Sequence, residues 1–189
     1  MIILASNSPR RKELMEKYVT SSFLIEPSDI DESIYQDKDP LKTVEQTAKA
    51  KGKYIFKKHP DDLVISADTI VVIDSQILGK PKDRNDAIRM LMMMKGKRHQ
   101  VITSYYIVNK VKSILRSVVS DVVLKDVDQS VIEKYIDEFP PLDKAGSYGI
   151  QDEFFIDNIL ESYEGSLTNI IGLPIEKITE DLRSFSVIS

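Results

Sequence analysis

Cysteine is absent from this sequence of 189 residues, and histidine occurs only twice, as His59 and His99. Without cysteine the chain has no disulfide framework, no thiol nucleophile and no thiolate metal site. Two histidines are too few for a multi-histidine metal centre, and they disfavour a serine–histidine–aspartate triad. Any metal is therefore expected to be a hard cation held by carboxylate oxygens.

The sequence also lacks a long apolar run and an excess of positive charge. No segment approaches the ~20 apolar residues of a membrane span, and the apolar start at residues 1–5 is too short for a signal peptide. The chain has 30 acidic and 26 basic residues, a net charge of −4, which argues against a general nucleic-acid binder. We therefore expect a cytoplasmic protein without a membrane or nucleic-acid partner, although a local anion pocket remains compatible with this charge.

Glycine and proline are few, seven and eight respectively, and they form no linker or repeat. The length allows one substantial core, so residues 1–189 are predicted to be a single domain. Strand patterns lie at residues 2–5, 23–26, 64–73, 76–78, 100–108 and 114–124. Helix patterns lie at residues 9–18, 40–58, 84–95, 128–138 and 175–185, whereas residues 29–39 read as an acidic loop and residues 154–159 are ambiguous. This mixture without strict alternation favours an α/β fold with a mixed sheet and helices on its faces.

Three adjacent basic residues, Arg10, Arg11 and Lys12, follow the predicted N-cap Ser8. They fall at the positive end of the helix dipole, which disfavours cations. A bound anion would explain them, because free backbone N–H groups and guanidinium groups would converge on it. The alternative is a solvated basic turn.

Two charged residues interrupt apolar patterns. Lys51 falls on the apolar stripe of the predicted helix at residues 40–58, where it either reaches past the stripe into solvent or lines an anion pocket. Asp68 falls inside the β-rich segment at residues 64–73. It either binds metal or moves protons, or it is a buried carboxylate satisfied by backbone donors.

Lys80 follows a predicted turn at Asp74 and Ser75. The return strand from that turn would place Lys80 opposite Thr69, close to Asp68, whereas the alternative is an ordinary exposed loop lysine. Several cations around a carboxylate, with more acid at residues 31–32, indicate a site for phosphate and a divalent metal. The chain contains neither a Walker loop nor a GxGxxG motif.

Six blocks occur in order along the chain: LASNSPRR at residues 4–11, AKAK at 48–51, ADT at 67–69 with ILGKP at 77–81, HQVIT at 99–103, KAGSYGIQ at 144–151 and IGLP at 171–174. This ordered set closely resembles the Maf family of nucleoside triphosphate pyrophosphatases, historically linked to septum formation. The resemblance covers essentially the whole chain, and six ordered blocks are far more specific than any single motif.

The resemblance implies an α/β fold of the Maf and inosine-triphosphatase type, with a central mixed, twisted sheet flanked by helices. It implies two lobes with a ligand cleft between them. The implied reaction is hydrolysis of a nucleoside triphosphate between its α and β phosphates, with a divalent metal, Mg²⁺ or Mn²⁺, and the implied assembly is a homodimer. The ADT and GIQ segments resemble the subgroup that acts on dTTP and UTP.

The resemblance also assigns roles to individual residues. Asp68 matches the proposed general base, or proton acceptor. The expected substrate-binding residues are Ser8, Arg10, Arg11, Lys51 and Lys80. The expected specificity residues are Arg10, Thr69 and Gln151. The expected metal ligands are Glu32 and Asp68.

Two features depart from the family pattern. Asp152 follows Gln151 where the family usually has glycine, and a bulkier acidic residue there is expected to alter the base pocket. The acidic segment at residues 157–165 is about four residues longer than usual, followed by Leu167 where an aromatic residue is common. We expect this segment to be either a surface loop or a rim of the site.

Two other functions fit parts of the pattern. A non-catalytic nucleotide sensor that regulates division would need the cations but not Asp68. A nucleotidyltransferase would also release pyrophosphate, but it would need an acceptor for the nucleotidyl group.

Overall fold

The computed structural model describes residues 1–186, so the last three residues of the predicted domain lie outside the described part of the chain. Within residues 1–186 the helices are α1 (Pro9–Tyr18), α2 (Pro40–Lys58), α3 (Arg84–Met94), α4 (Gln129–Glu138), α5 (Glu153–Asn158), α6 (Leu167–Ile171) and α7 (Ile175–Ser184). The strands are β1 (Ile2–Leu4), β2 (Leu24–Ile25), β3 (Leu63–Ile73), β4 (Gln76–Leu78), β5 (Arg98–Val108), β6 (Ser113–Leu124) and β7 (Leu160–Glu164). Short 3₁₀ segments occur at Glu32–Tyr35 and Ala145–Ser147.

Helices α1 and α2 begin where their caps predict. The Ser8 side chain accepts a hydrogen bond from the Arg11 amide, and the Asp39 side chain accepts one from the Leu41 amide. A proline follows each cap at the first helical position, where its missing N–H group costs nothing. Both predicted helix starts are confirmed.

The strands form one mixed sheet, which confirms the predicted α/β class. In the described chain the strand order is β2-β1-β3-β5-β6-β7, with β4 paired to β3. Strand β1 is parallel to both β2 and β3, whereas β4 pairs with β3 and β7 with β6 in antiparallel fashion. No helix within residues 1–186 is long and apolar enough to cross a membrane.

The chain divides into two compact units. The first comprises Met1–Asp68, Thr103–Val118 and the described part of Leu167–Ser189. All three residues of β1 are buried, although successive side chains of a strand point to opposite faces of the sheet. Ile2 and Leu4 pack with residues of α1 and α7, and Ile3 packs with Ile55 of α2. Helices therefore cover both faces of this part of the sheet.

The second unit comprises Thr69–Ile102 and Val119–Ser166. Helix α3 packs on α4 and buries Met90 and Met94. An aromatic cluster joins α4, α5 and the segment before α5; its members are His99, Tyr135, Phe139, Tyr148, Phe154 and Phe155.

His99 lies in this core with its Nε2 atom 2.6 Å from the Tyr148 hydroxyl oxygen. Burial lowers the pKa of His99 to about 4, against about 6.5 in an unfolded chain. As the pH falls, the unfolded state therefore binds this proton before the folded state does, and folding is weakened between pH 6.5 and pH 4. We expect the free energy of unfolding to drop by about 2 kcal/mol between pH 7 and pH 5 from this group.

Urea unfolding at both pH values checks this expectation. His99→Gln should flatten the dependence on pH, because the glutamine side chain has no group that titrates between pH 5 and pH 7. An equal loss of stability in wild type and His99→Gln would contradict the assignment.

The structure assigns three segments more closely than the sequence does. The acidic loop at residues 29–39 contains the 3₁₀ turn Glu32–Tyr35, and the ambiguous residues 154–159 belong mainly to helix α5. The acidic segment at residues 157–165 is not an irregular loop, since it includes β7, whose residues Ser162 and Tyr163 pair with Val123 and Val122 of β6. A strand at a sheet edge with exposed side chains needs no apolar alternation, so its pattern gave no signal.

Candidate active site

An ion-pair cluster joins helix α2 to the middle of strand β3. The Lys51 ammonium donates to Asp68 Oδ1 at 3.0 Å and lies 3.0 Å from Glu32 Oε1. The Lys51 and Asp68 side chains are only 12% and 16% exposed, whereas that of Glu32 is 51% exposed. Lys51 therefore does not extend past the apolar stripe into bulk water, and Asp68 has a charged donor as partner.

Close packing of α2 on the sheet fixes the position of Lys51. The Ser66 hydroxyl donates to the Ala48 carbonyl oxygen at 2.6 Å, one helical turn before Gly52. A Cβ atom at Gly52 would lie 2.5 Å from both Ser66 Oγ and Tyr106 Cδ1. Only glycine lets the helix backbone approach β3 this closely. Lys51 directly precedes Gly52, so the same close approach sets its position.

Gly52→Ala is therefore expected to destabilise the fold. The clash costs about 1–3 kcal/mol, and the better helix propensity of alanine offsets about 1 kcal/mol of it. Urea unfolding should show a net loss, with Gly79→Ala as the matched control because nothing lies within 4 Å of a Cβ there. Equal stability of the two variants would contradict the close approach of α2.

The three basic residues after Ser8 differ in their burial and in their contacts. Arg11 Nε donates to the Gly172 carbonyl oxygen at 2.7 Å, and Arg11 Nη1 donates to Ser6 Oγ at 3.4 Å. Lys12 forms an exposed pair with Glu16 at 3.7 Å, so the solvated-turn alternative describes Lys12. Arg10 is half-buried.

Arg11 is electrostatically coupled to the acidic cluster. Burial lowers the pKa of the Arg11 guanidinium, and Arg10 lowers it further, whereas the carboxylates of Asp68 and Glu32 raise it. Two arginines, one lysine and two carboxylates therefore influence each other in the first unit. Ser8 serves as the cap of α1, since its hydroxyl oxygen accepts from the Arg11 amide at 3.4 Å.

The second unit carries the other predicted residues, Thr69, Lys80 and Gln151. Asp74 and Ser75 have φ angles of 47° and 63°, which is typical of a two-residue hairpin turn. Strand β4 pairs Leu78 with Val71, so the predicted turn and register are confirmed. Lys80 is exposed and lies two residues beyond this last pair.

Gln151 is exposed and lies in a turn directly before α5. The segment that carries it is tied to the hairpin, because the Gly146 amide donates to the Gly79 carbonyl oxygen at 3.1 Å. Two residues around this turn were not identified as functional from the sequence. They are Tyr135 and Lys144. Tyr135 has the helical spacing of a core residue, whereas the position of Lys144 in the KAGSYGIQ block is the sequence feature that points to it.

The predicted metal ligands provide two hard oxygen donors. Within residues 1–186 no group of three or more His, Cys, Asp or Glu side chains is arranged to hold an ion. Glu32 and Asp68 nevertheless contact one common point, the Lys51 ammonium, at 3.0 Å each. Mg²⁺ commonly takes one or two protein carboxylates and completes its shell with water and substrate phosphate. The donor set therefore fits a metal that binds together with phosphate.

Comparison with known proteins agrees with this description. The family model described as "Maf-like protein" matches residues 1–185. The dTTP/UTP pyrophosphatase of Acholeplasma laidlawii is 40% identical over 189 residues, which covers 100% of this chain and 98% of that protein. The dTTP/UTP pyrophosphatase of Pyrococcus furiosus is 41% identical over 174 residues, covering 92% and 90% of the two chains.

A solved structure shares the fold at low sequence similarity. The HAM1 protein from Coxiella burnetii superposes with a TM-score of 0.55 at 12% identity, covering 97% of this chain and 98% of that one. The ordered motifs, the match over almost the whole length and the identity of 40% to its relatives lead to one conclusion: the chain belongs to the Maf-like family.

Proposed function

We propose that this protein is a nucleoside triphosphate pyrophosphatase that hydrolyses dTTP and UTP to the monophosphate and pyrophosphate. The observation that carries the proposal is the pairing of Lys51 with Asp68 and Glu32 in a largely buried setting. Relatives named dTTP/UTP pyrophosphatase at 40–41% identity support the same activity. We propose that both units belong to one functional domain and that the protein works in the cytoplasm as a homodimer.

The cations are proposed to bind the triphosphate. Lys51 is a point charge with three N–H donors, and phosphate oxygens are acceptors for it once nucleotide displaces a carboxylate contact. Arg10 and Arg11 offer planar donor groups suited to phosphate, and Lys80 adds a further exposed charge. These contacts hold the phosphates while the negative charge of the leaving group grows, which is the main source of acceleration in phosphoryl transfer.

Asp68 is proposed to accept the proton of the attacking water. The water oxygen forms a bond to the α phosphorus, the bond from that phosphorus to the bridging oxygen breaks, and its electron pair leaves with pyrophosphate. The water proton passes to the Asp68 carboxylate. Lys51 holds that carboxylate in one orientation through the 3.0 Å contact.

Glu32 and Asp68 would hold a divalent metal, Mg²⁺ or Mn²⁺, that arrives with the nucleotide. When bound, such a metal supplies charge neutralisation on the phosphate oxygens. Arg10, Thr69 and Gln151 are proposed to determine specificity. The Gln151 amide offers one donor and one acceptor side by side, the complement of the carbonyl and N–H groups of a uracil-type base.

Pyrophosphate release from a panel of nucleotides tests the proposal. The panel contains dTTP, UTP, 5-methyl-UTP, CTP, GTP and 7-methyl-GTP with Mg²⁺ or Mn²⁺ and without an acceptor. We expect release from the uracil-type nucleotides in preference to the others. Release only when an acceptor is added would favour a nucleotidyltransferase, and binding without release would favour a sensor. Preference for 7-methyl-GTP would keep the reaction but contradict the assigned substrates.

A further inference from the structure

Gln151 lies in a turn whose two ends are joined by a direct hydrogen bond and by a second link through one side chain. The Asp152 amide donates to the Gly149 carbonyl oxygen at 3.1 Å, which makes Ile150 and Gln151 the two central residues. The Gly149 amide donates to the Tyr135 hydroxyl oxygen at 2.9 Å, and that hydroxyl donates to Asp152 Oδ2. One side chain therefore links the first and last residues of the turn.

Tyr135 is a rigid support for this turn. Its side chain is fully buried, and its ring packs against those of Phe139 and Phe154, with centroid distances of 5.3 Å and 6.1 Å. Burial raises the pKa of Tyr135, and the hydrogen bond to the Asp152 carboxylate raises it further. The hydroxyl group consequently remains a donor to Asp152 over the working range of pH.

Lys144 completes the arrangement around Asp152. Its ammonium lies 3.6 Å from Asp152 Oδ2 and donates to the Pro140 carbonyl oxygen at 3.1 Å. The side chains of Lys144 and Asp152 are 14% and 20% exposed, so the carboxylate charge is balanced where water is scarce. A Cβ atom at Gly149 would lie 2.9 Å from Asp152 Oδ2, so the turn is fitted around this carboxylate.

These contacts explain the acidic residue that departs from the family pattern. The sequence suggested that Asp152 alters the base pocket through its own bulk. In the structure the carboxylate contacts Tyr135 and Lys144, so it also acts on the turn that carries Gln151. An amide reads a base with selectivity only when supporting groups fix its position, because a mobile amide adapts to either pattern of donors and acceptors.

We propose that Asp152 is a positioning residue for base selectivity, which holds the 149–152 turn through Tyr135 and thereby orients Gln151 toward the base. The inference rests on the proposed function, since it assigns Gln151 to the base of a bound nucleotide.

Steady-state kinetics with UTP and CTP test the inference in Asp152→Gly, Asp152→Asn and Tyr135→Phe. We expect Asp152→Gly and Tyr135→Phe each to raise KM for UTP about tenfold and to lower the UTP-to-CTP ratio of kcat/KM about tenfold, with kcat within about threefold of wild type. Asp152→Asn should keep the ratio within about threefold, because its amide oxygen still accepts from Tyr135. Asp157→Asn, an exposed change on α5, is the matched control and should equal wild type.

Combining the two changes provides a sharper readout. If Asp152 acts through Tyr135, Asp152→Gly with Tyr135→Phe should shift the ratio no further than either change alone. Ratios within about twofold of wild type in both folded single variants would overturn the proposal, as would a double variant whose effect is the sum of the two.

Binding of non-hydrolysable α,β-methylene analogues of UTP and CTP, measured by calorimetry, separates the inference from the proposed function. In one outcome the wild type binds these analogues with a uracil preference and yet releases no pyrophosphate from UTP itself. The proposed function then fails, but the affinity ratios of the variants still decide the inference. If wild type binds both equally, or neither, the inference is overturned.

Hydrogen exchange in unmodified protein covers the case in which a variant fails to fold. The Gly149 amide should exchange slowly, since it donates to a buried hydroxyl. Exchange as fast as that of exposed turn amides would overturn the proposal without any substitution.

Discussion

Asp68→Asn is expected to lower kcat for UTP by about 10²–10⁴-fold, the range for loss of a general base. An asparagine oxygen can still accept from Lys51, so the side-chain geometry at 3.0 Å should be nearly preserved. The amide cannot take up a proton from water, and KM should therefore change much less than kcat.

Single-turnover and steady-state pyrophosphate release provide the measurement. Asp61→Asn, an exposed neutralisation seven residues away, is the matched control and should retain full activity. Thermal unfolding establishes that Asp68→Asn is folded. A kcat within about threefold of wild type would remove Asp68 from the role of proton acceptor.

Lys51→Met is expected to impair both binding and turnover. Methionine fits the largely buried position by size, but it removes the charge that contacts Asp68 and Glu32 at 3.0 Å each. The two carboxylates then face each other without a cation, which repels the triphosphate as well. We expect kcat/KM to fall by about 10²–10³-fold, with a clear rise in KM, because one charged contact to phosphate accounts for roughly 3–4 kcal/mol.

Lys53→Met on the same helix is the control, since Lys53 is exposed. The two active-site changes should differ in kind: Asp68→Asn acts mainly on kcat, whereas Lys51→Met acts on KM as well. Equal KM values in Lys51→Met and wild type would contradict the assignment of Lys51 to phosphate binding.

The parts of the fold that the sequence predicts are those set by local rules. The caps at Ser8 and Asp39 fix two helix starts, and the turn at Asp74 and Ser75 fixes the register of β4. Helices α5 and α6 and strand β7 span only five or six residues. Segments this short contain too few positions for a period to emerge, so long-range pairing decides their structure.

The site shows the same division. Lys51 and Asp68 are detectable because each contradicts its own pattern, a lysine on an apolar stripe and an aspartate in a buried strand. Asp181 shows the limit of such reasoning, since a charged residue in an amphipathic helix is expected on the solvated face. It is instead buried, and it accepts hydrogen bonds from Tyr105 at 2.6 Å and Arg116 at 2.7 Å. Partners 65 or more residues away leave no local trace in the sequence.

Strand β7 affects the tendency of the protein to aggregate through the edge of its sheet. It lies at one end of the strand order in the described chain, and four of its five residues are exposed. Such edges promote fibrous association unless charge protects them. Glu161 and Glu164 are exposed on this strand of five residues, so a second copy that added here would bring like charges together. The acidic insertion thus extends the sheet and also discourages its further growth.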